Sequence, residues 1–202
     1  MSTFVVGETF PDNPANTALI QLWIATRHVL VLQRALLAKP GPDAVEHEQF
    51  LHTFLAIAAT LKEAADAFRV ADSLGIFGTL PSDLQPQLAI ARQECDESNT
   101  ASIQKRVLVR LRNNAGAHFD KKQIQRGLTL LSSKSFPLKI GGGTFFESTF
   151  PLAIALVENI LEAHGISPQN ALHEFPAVIN LGSALQKLAD AMVTVAAQQT
   201  KT

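Results

Sequence analysis

The chain has 202 residues, of which 47 % are apolar and 17 % charged, and its formal net charge is −1. That length suits one large domain or two small ones with a substantial core, while a charged share below the roughly 25 % usual for soluble domains leaves apolar surface for burial against another subunit. The single cysteine, Cys95, excludes an intramolecular disulfide and any multi-cysteine metal site.

Met1–Asn13 reads as an extended lead-in punctuated by Gly and Pro, without the basic and then apolar run of a secretory signal. Asn13-Pro14 fits a helix start, with Asn13 as cap and Pro14 in the first turn. Leu19, Leu22, Trp23, Thr26, Leu30, Gln33 and Leu37 then follow three–four spacing. This predicts a helix to Leu37 or Ala38. Gln21, Arg27, His28, Gln33 and Arg34 make it too polar to span a bilayer, so no membrane association is expected and the location reads as cytoplasmic. Lys39-Pro40-Gly41-Pro42 forms a rigid turn.

Asp43 suits the cap of a second long helix, about 44–72, with an apolar face of Phe50, Phe54, Ile57, Leu61, Ala65 and Phe68. A connector with Gly75, Gly78 and Pro81 follows, then a shorter helix over 81–96, interrupted or restarted at Pro86. Ser98-Asn99-Thr100 caps a helix carrying Ile103, Val107, Leu108 and Leu111. Asp120 suits the cap of a short helix over 121–131. Residues 136–147 surround Gly141–Gly143 with short extended pieces, which predicts a small β-hairpin or a flap. A helix from about 149 to 163 closes at Gly165, and a last one runs from Pro168 to the tail, with a bend at Pro176 or Gly182. The expected fold is therefore all-α: one helical bundle over residues 1–202 with a hairpin or flap insertion.

The near-neutral charge hides a segregation. Between Lys105 and Lys139 lie nine basic residues and one acid, Asp120; the remainder holds eight basic residues and seventeen acids. Such a field suits a polyanion, and it equally suits a solvated face paired with acids of other helices.

Within this basic stretch stands Arg112-Asn113-Asn114-Ala115-Gly116-Ala117-His118. Arginine offers a planar fork of donors to phosphate oxygens. Histidine is the side chain best placed to move a proton near neutral pH. Arg112 and His118 are six residues apart, about 9 Å along an ideal helix axis and about 120° around it. Gly116 can loosen or end the helix and turn His118 back. Arg110, Asn114 and His118 fall at four-residue steps and share a helix face, so Arg110 is a second phosphate contact and Asn114 an orienter. The structural alternative pairs Arg112 with a carboxylate, uses Asn113 or Asn114 at a helix end, and buries His118 in the core.

The segment Leu111–Asp120 resembles the signature of the HEPN superfamily: an arginine, usually followed by a polar residue, then a histidine after a gap of four to six. Here the gap is five and the polar residue is Asn113. The resemblance covers about ten residues, beside a compatible all-helical outline. It implies a metal-independent endoribonuclease in a toxin, defence or stress role, without a cofactor. His118 would act as general base or acid, Arg112 would stabilise the phosphate, and Asn113 would orient one of them. Lys105, Arg106, Arg110, Asn114, Lys121 and Lys122 would hold the RNA. The resemblance further implies a homodimer with both motifs at one cleft, and a protein antitoxin or regulator as partner. Its other implication is a non-catalytic module binding nucleic acid, a nucleotide or a protein.

Other constellations are weaker. Glu48 and His52, four apart, share a face beside His47, but the Glu-x-x-His pairs and carboxylates on several helices that a di-iron set needs do not recur. Gly141–Gly143 lacks the Lys and Ser/Thr of a phosphate loop. Cys95 has no activating neighbour in the sequence and reads as a small semi-buried residue. His28, His164 and His173 read as structural or surface groups.

Overall fold

A computed structural model of the chain describes residues 9–37, 43–111, 125, 129 and 168–199. Most of these residues are helical, with no strand among them. The hairpin expected over 136–147 and the helices expected over 121–131 and 149–163 lie almost wholly outside them.

Helix α1 spans Pro14–Leu37. Asn13 caps it as expected: its Oδ1 accepts the Asn16 N–H at 2.8 Å, and its carbonyl accepts that of Thr17. Helix α2 spans Asp43–Ser73. It ends at Gly75, whose φ of +74° closes the helix in the left-handed region that a side chain disfavours. Two 3₁₀ turns follow, Ile76–Thr79 and Ser82–Leu84, and then helix α3, Gln85–Glu94. Pro86 lies in the first turn of α3, where its missing N–H costs nothing. It therefore starts this helix rather than interrupting one from Pro81, and the stretch before it winds tightly instead. The last described helix spans Pro168–Gln199 and continues through both Pro176 and Gly182.

Neighbouring residues give the helix directions. Trp23 and Arg27 of α1 meet Asp190 of the last helix, and Val29 and Gln33 meet Gly182, so these two helices run antiparallel. Phe54 of α2 lies 6.1 Å from Phe175 (ring centroids), and Leu61 lies beside Gly182, so α2 and the last helix run parallel. The five residues between α1 and α2 suit an antiparallel pair.

Leu22, Phe54, Ile57, Leu61, Phe68, Leu181, Leu185 and Leu188 fill the core, none more than 1 % exposed. Phe54, Ile57, Leu61, Ala65 and Phe68 are the face that the three–four spacing of α2 marks out. Cys95 is fully buried, deeper than the sequence suggests, and desolvation pushes its thiol pKa far above the ordinary range. No described helix is long and apolar enough to cross a membrane.

At Gly182 side chains of both other long helices come close. A Cβ there would stand 3.1 Å from Gln33 Nε2 and 3.2 Å from Val29 Cγ1. Gly182→Ala gains about 1 kcal/mol in helix propensity, which this crowding offsets, so its stability should stay near that of the wild type. Gly182→Leu has no room and should lose about 1–3 kcal/mol. Urea unfolding measures both, and a leucine tolerated without loss would contradict this close approach.

Candidate nucleic-acid interface

The basic stretch begins inside the described structure and passes out of it. Lys105, Arg106 and Arg110 are described; Arg112, Asn113, Asn114, His118, Lys121 and Lys122 lie outside the described residues. The helix that precedes Arg112 is described as far as Leu111.

Its entry is a tight turn. Asp96 Oδ1 accepts from both the N–H and the hydroxyl of Ser98, which holds its carboxyl below the ordinary aspartate range. Asn99 Oδ1 accepts the Ala101 N–H, and Glu94 Oε2 accepts the Ile103 N–H at 2.8 Å. Side chains thus satisfy N–H groups that a helix start leaves without partners. The Ser98-Asn99-Thr100 cap does its expected work through Asn99.

The next turn departs from the sequence expectation. Gln104–Leu108 forms one turn of π-helix, in which the Val109 N–H donates to the Gln104 carbonyl, and α4, Val109–Leu111, follows. Side chains compete for the backbone here. Ser102 Oγ accepts the Lys105 N–H at 3.2 Å, and the Ala101 carbonyl accepts Arg106 Nε at 2.7 Å. Both groups would otherwise bond to each other in a regular α-helix, and their diversion loosens the ladder into a wider turn.

The wider turn changes which cations go together. Four-residue spacing would pair Arg106 with Arg110. Instead Lys105 and Arg110, five apart, are both exposed, as befits a turn closed by bonds between residues five apart. Arg106 is half-buried and forms an ion pair with Glu174 of the last helix, which becomes α5. Ile103, Gln104, Val107 and Leu108 are buried beneath.

Below this turn lies a polar cluster that the sequence did not announce. Lys62, 7 % exposed, places Nζ 2.5 and 2.7 Å from the two carboxylate oxygens of Asp66. Arg69 Nη2 reaches Asp66 at 2.5 Å and Glu97 at 2.9 Å. Lys62 Nζ stands 3.4 Å from Glu97. Gln104 Nε2 donates to the same Glu97 oxygen at 3.0 Å, while Gln104 Oε1 is buried without a partner among the described residues. The i, i+4 and i, i+3 spacings of Lys62, Asp66 and Arg69 are visible in the sequence. Their junction with Glu97 and Gln104 needs the fold.

A groove of about 520 Å³ runs between α1 and α2, lined by Ile24, His28, Glu63, Asp66 and Val70 among others. No group of three metal-ligating side chains occurs among the described residues. The side chains of His47, Glu48 and His52 are outside them, as are His164 and Gly141–Gly143; His28 and His173 are exposed. No protein-family model, no curated protein and no solved structure matches the chain.

The Gln104 amide, then Arg69 and Lys62, hold the Glu97 carboxyl below its ordinary value of 4.5. A carboxylate with a lower pKa folded than unfolded stabilises the fold above the unfolded value and loses that contribution as pH falls through the folded one. The thermal midpoint should therefore fall as pH drops below 4.5, and Glu97→Gln should make that dependence shallower. Melts between neutral pH and pH 3 (about the lower edge of carboxylate titration) measure it. An unchanged slope would take Glu97 out of the cluster.

Proposed function

We propose that this protein is a metal-independent endoribonuclease of HEPN type. The observation that carries the reading is the Arg112-Asn113-x(4)-His118 motif within the basic stretch. Support comes from the helix that enters it, where Lys105 and Arg110 are exposed together. Two exposed cations on one edge suit consecutive phosphates of a single strand.

In this reading His118 takes the proton of the ribose 2′-hydroxyl, or gives one to the leaving 5′-oxygen. The 2′-oxygen attacks the adjacent phosphorus, the bond to the 5′-oxygen breaks, and the products are a 2′,3′-cyclic phosphate and a 5′-hydroxyl. Arg112 stabilises the charge of the pentacovalent phosphate. Asn113 orients the histidine or the phosphate. Lys105, Arg110 and Asn114, with Lys121 and Lys122, hold the strand. Arg106 belongs with the scaffold, because Glu174 and the Ala101 carbonyl already engage its guanidinium. A homodimer would bring two such motifs to one cleft and supply both acid and base. A toxin or defence role, with a protein antitoxin as regulator, completes the proposal.

A mixed RNA pool incubated in EDTA tests it. The wild type should cleave RNA and leave the deoxy strand of the same sequence intact, since the attacking 2′-hydroxyl is missing there. His118→Ala should lose about 10²–10⁴-fold in rate and Arg112→Ala about 10²–10³-fold, both with unchanged melting. Salt-sensitive RNA binding without cleavage would move the protein to the non-catalytic binding class. Indifference to RNA, with loss of stability in both variants, would reduce the motif to a structural element.

A further inference from the structure

The wide turn and the cluster beneath it share one residue. Gln104 opens the turn: its carbonyl receives the Val109 N–H that defines it. Its side chain, fully buried, donates to Glu97. Glu97 is in turn held by Arg69 and Lys62 of α2, so the start of the turn is tied to that long helix. From the other side Glu174 of α5 holds Arg106, two residues further on. A π turn is rare and poorly stabilised by its own backbone, and such turns recur at functional positions. Here side-chain bonds from the bend at Glu97 and from α5 supply what the backbone lacks.

We propose that Gln104 and Glu97 are positioning residues, and that their hydrogen bond holds the wide turn that presents Lys105 and Arg110 as one phosphate-binding edge. The inference rests on the reading of this segment as RNA-binding. Without the turn, Arg110 rotates away from Lys105 and into four-residue register with Arg106, whose own N–H already bonds the Ser102 carbonyl four residues back. The buried Oε1 of Gln104 bears on the same point. A leucine would fill that space without an unpaired acceptor, and glutamine is useful there only through its donor to Glu97.

Swapping the two groups tests this in the full-length protein. Gln104→Glu sets two carboxylates against each other, and Glu97→Gln removes the charge that Arg69 and Lys62 hold. The double variant Glu97→Gln/Gln104→Glu restores one amide and one carboxylate to the pair. The probe is a fluorescein-labelled 2′-O-methyl oligouridylate of about 20 nucleotides, which keeps the phosphates and lacks the hydroxyl that cleavage needs. Losing one phosphate contact on a single strand should weaken binding about fivefold at 0.1 M salt and lower the salt slope by about 0.7. Each single variant should show this loss, and the double variant should recover it. A structural role alone would lower the melting temperature and leave the salt slope untouched; single variants that bind with the wild-type slope overturn the proposal.

A second arm separates this inference from the RNA reading. Glu174→Gln is melted in the wild-type and in the Gln104→Glu backgrounds, with Glu97→Gln as the background if Gln104→Glu does not fold. If Gln104 and Glu174 hold the same turn from its two sides, the loss of melting temperature caused by Glu174→Gln should be smaller in either background than in the wild type. An equal loss in wild-type and variant backgrounds overturns the positioning role. A wild type that ignores the oligouridylate overturns the RNA reading, and the melts then decide the turn by themselves.

Discussion

The apolar seam between α1, α2 and α5 is the constraint on which the other features depend. Three long helices place Leu22, Leu61, Leu181 and their neighbours out of water, and Gly182 lets two of them approach at the centre. Burial of this kind is non-directional, and by itself it would permit sliding. Directional bonds at the edges fix the helices relative to each other. Trp23 Nε1 and Arg27 both donate to Asp190, with the guanidinium 5.6 Å above the indole ring, and Arg92 grips Asp72 with two parallel bonds. Each such exposed pair contributes little to stability. Their value lies in selecting one register of an otherwise smooth apolar contact.

The ionic cluster of Lys62, Asp66, Arg69 and Glu97 has a different physics. Lys62 is largely out of water, so removing one partner would leave a charge poorly compensated. A cluster of this type stabilises less than its distances suggest, because desolvation opposes it. It does impose a geometry, since two cations and two carboxylates fit together in few ways. That geometry passes through Gln104 into the turn at Gln104–Leu108, where polar side chains have displaced the regular backbone ladder. The chain thus enters its most basic stretch on a helix whose phase is set by buried polar contacts.

This arrangement makes chemical sense for a cationic edge. Like charges close together repel, and an unsupported helix would let Lys105, Arg106 and Arg110 spread. Glu174 neutralises Arg106 from behind, which leaves Lys105 and Arg110 to face solvent. Glu97 and Asp66 belong to the cluster beneath the start of this helix, and Lys105 and Arg110 stay exposed above it.

Much of the frame was legible in the amino-acid order. The Asn13 cap, the buried stripe of α2, the connector glycine at 75 and the start of the last helix at Pro168 all follow from local rules, because each depends on residues within one or two turns. The Arg112–His118 motif and the basic stretch around it are also sequence facts. Tertiary structure alone decided the role of Pro86 as a starter, the burial of Cys95 and Lys62, and the division of labour among Lys105, Arg106 and Arg110. The wide turn arises from the competition of Ser102 and Arg106 for backbone groups, under a clamp from Glu97 and Glu174 on other segments. Periodicity carries the phase of a helix only while its ladder is regular. Once distant side chains widen a turn, the positions just after it change face, as Arg110 does, and only the folded chain records that step.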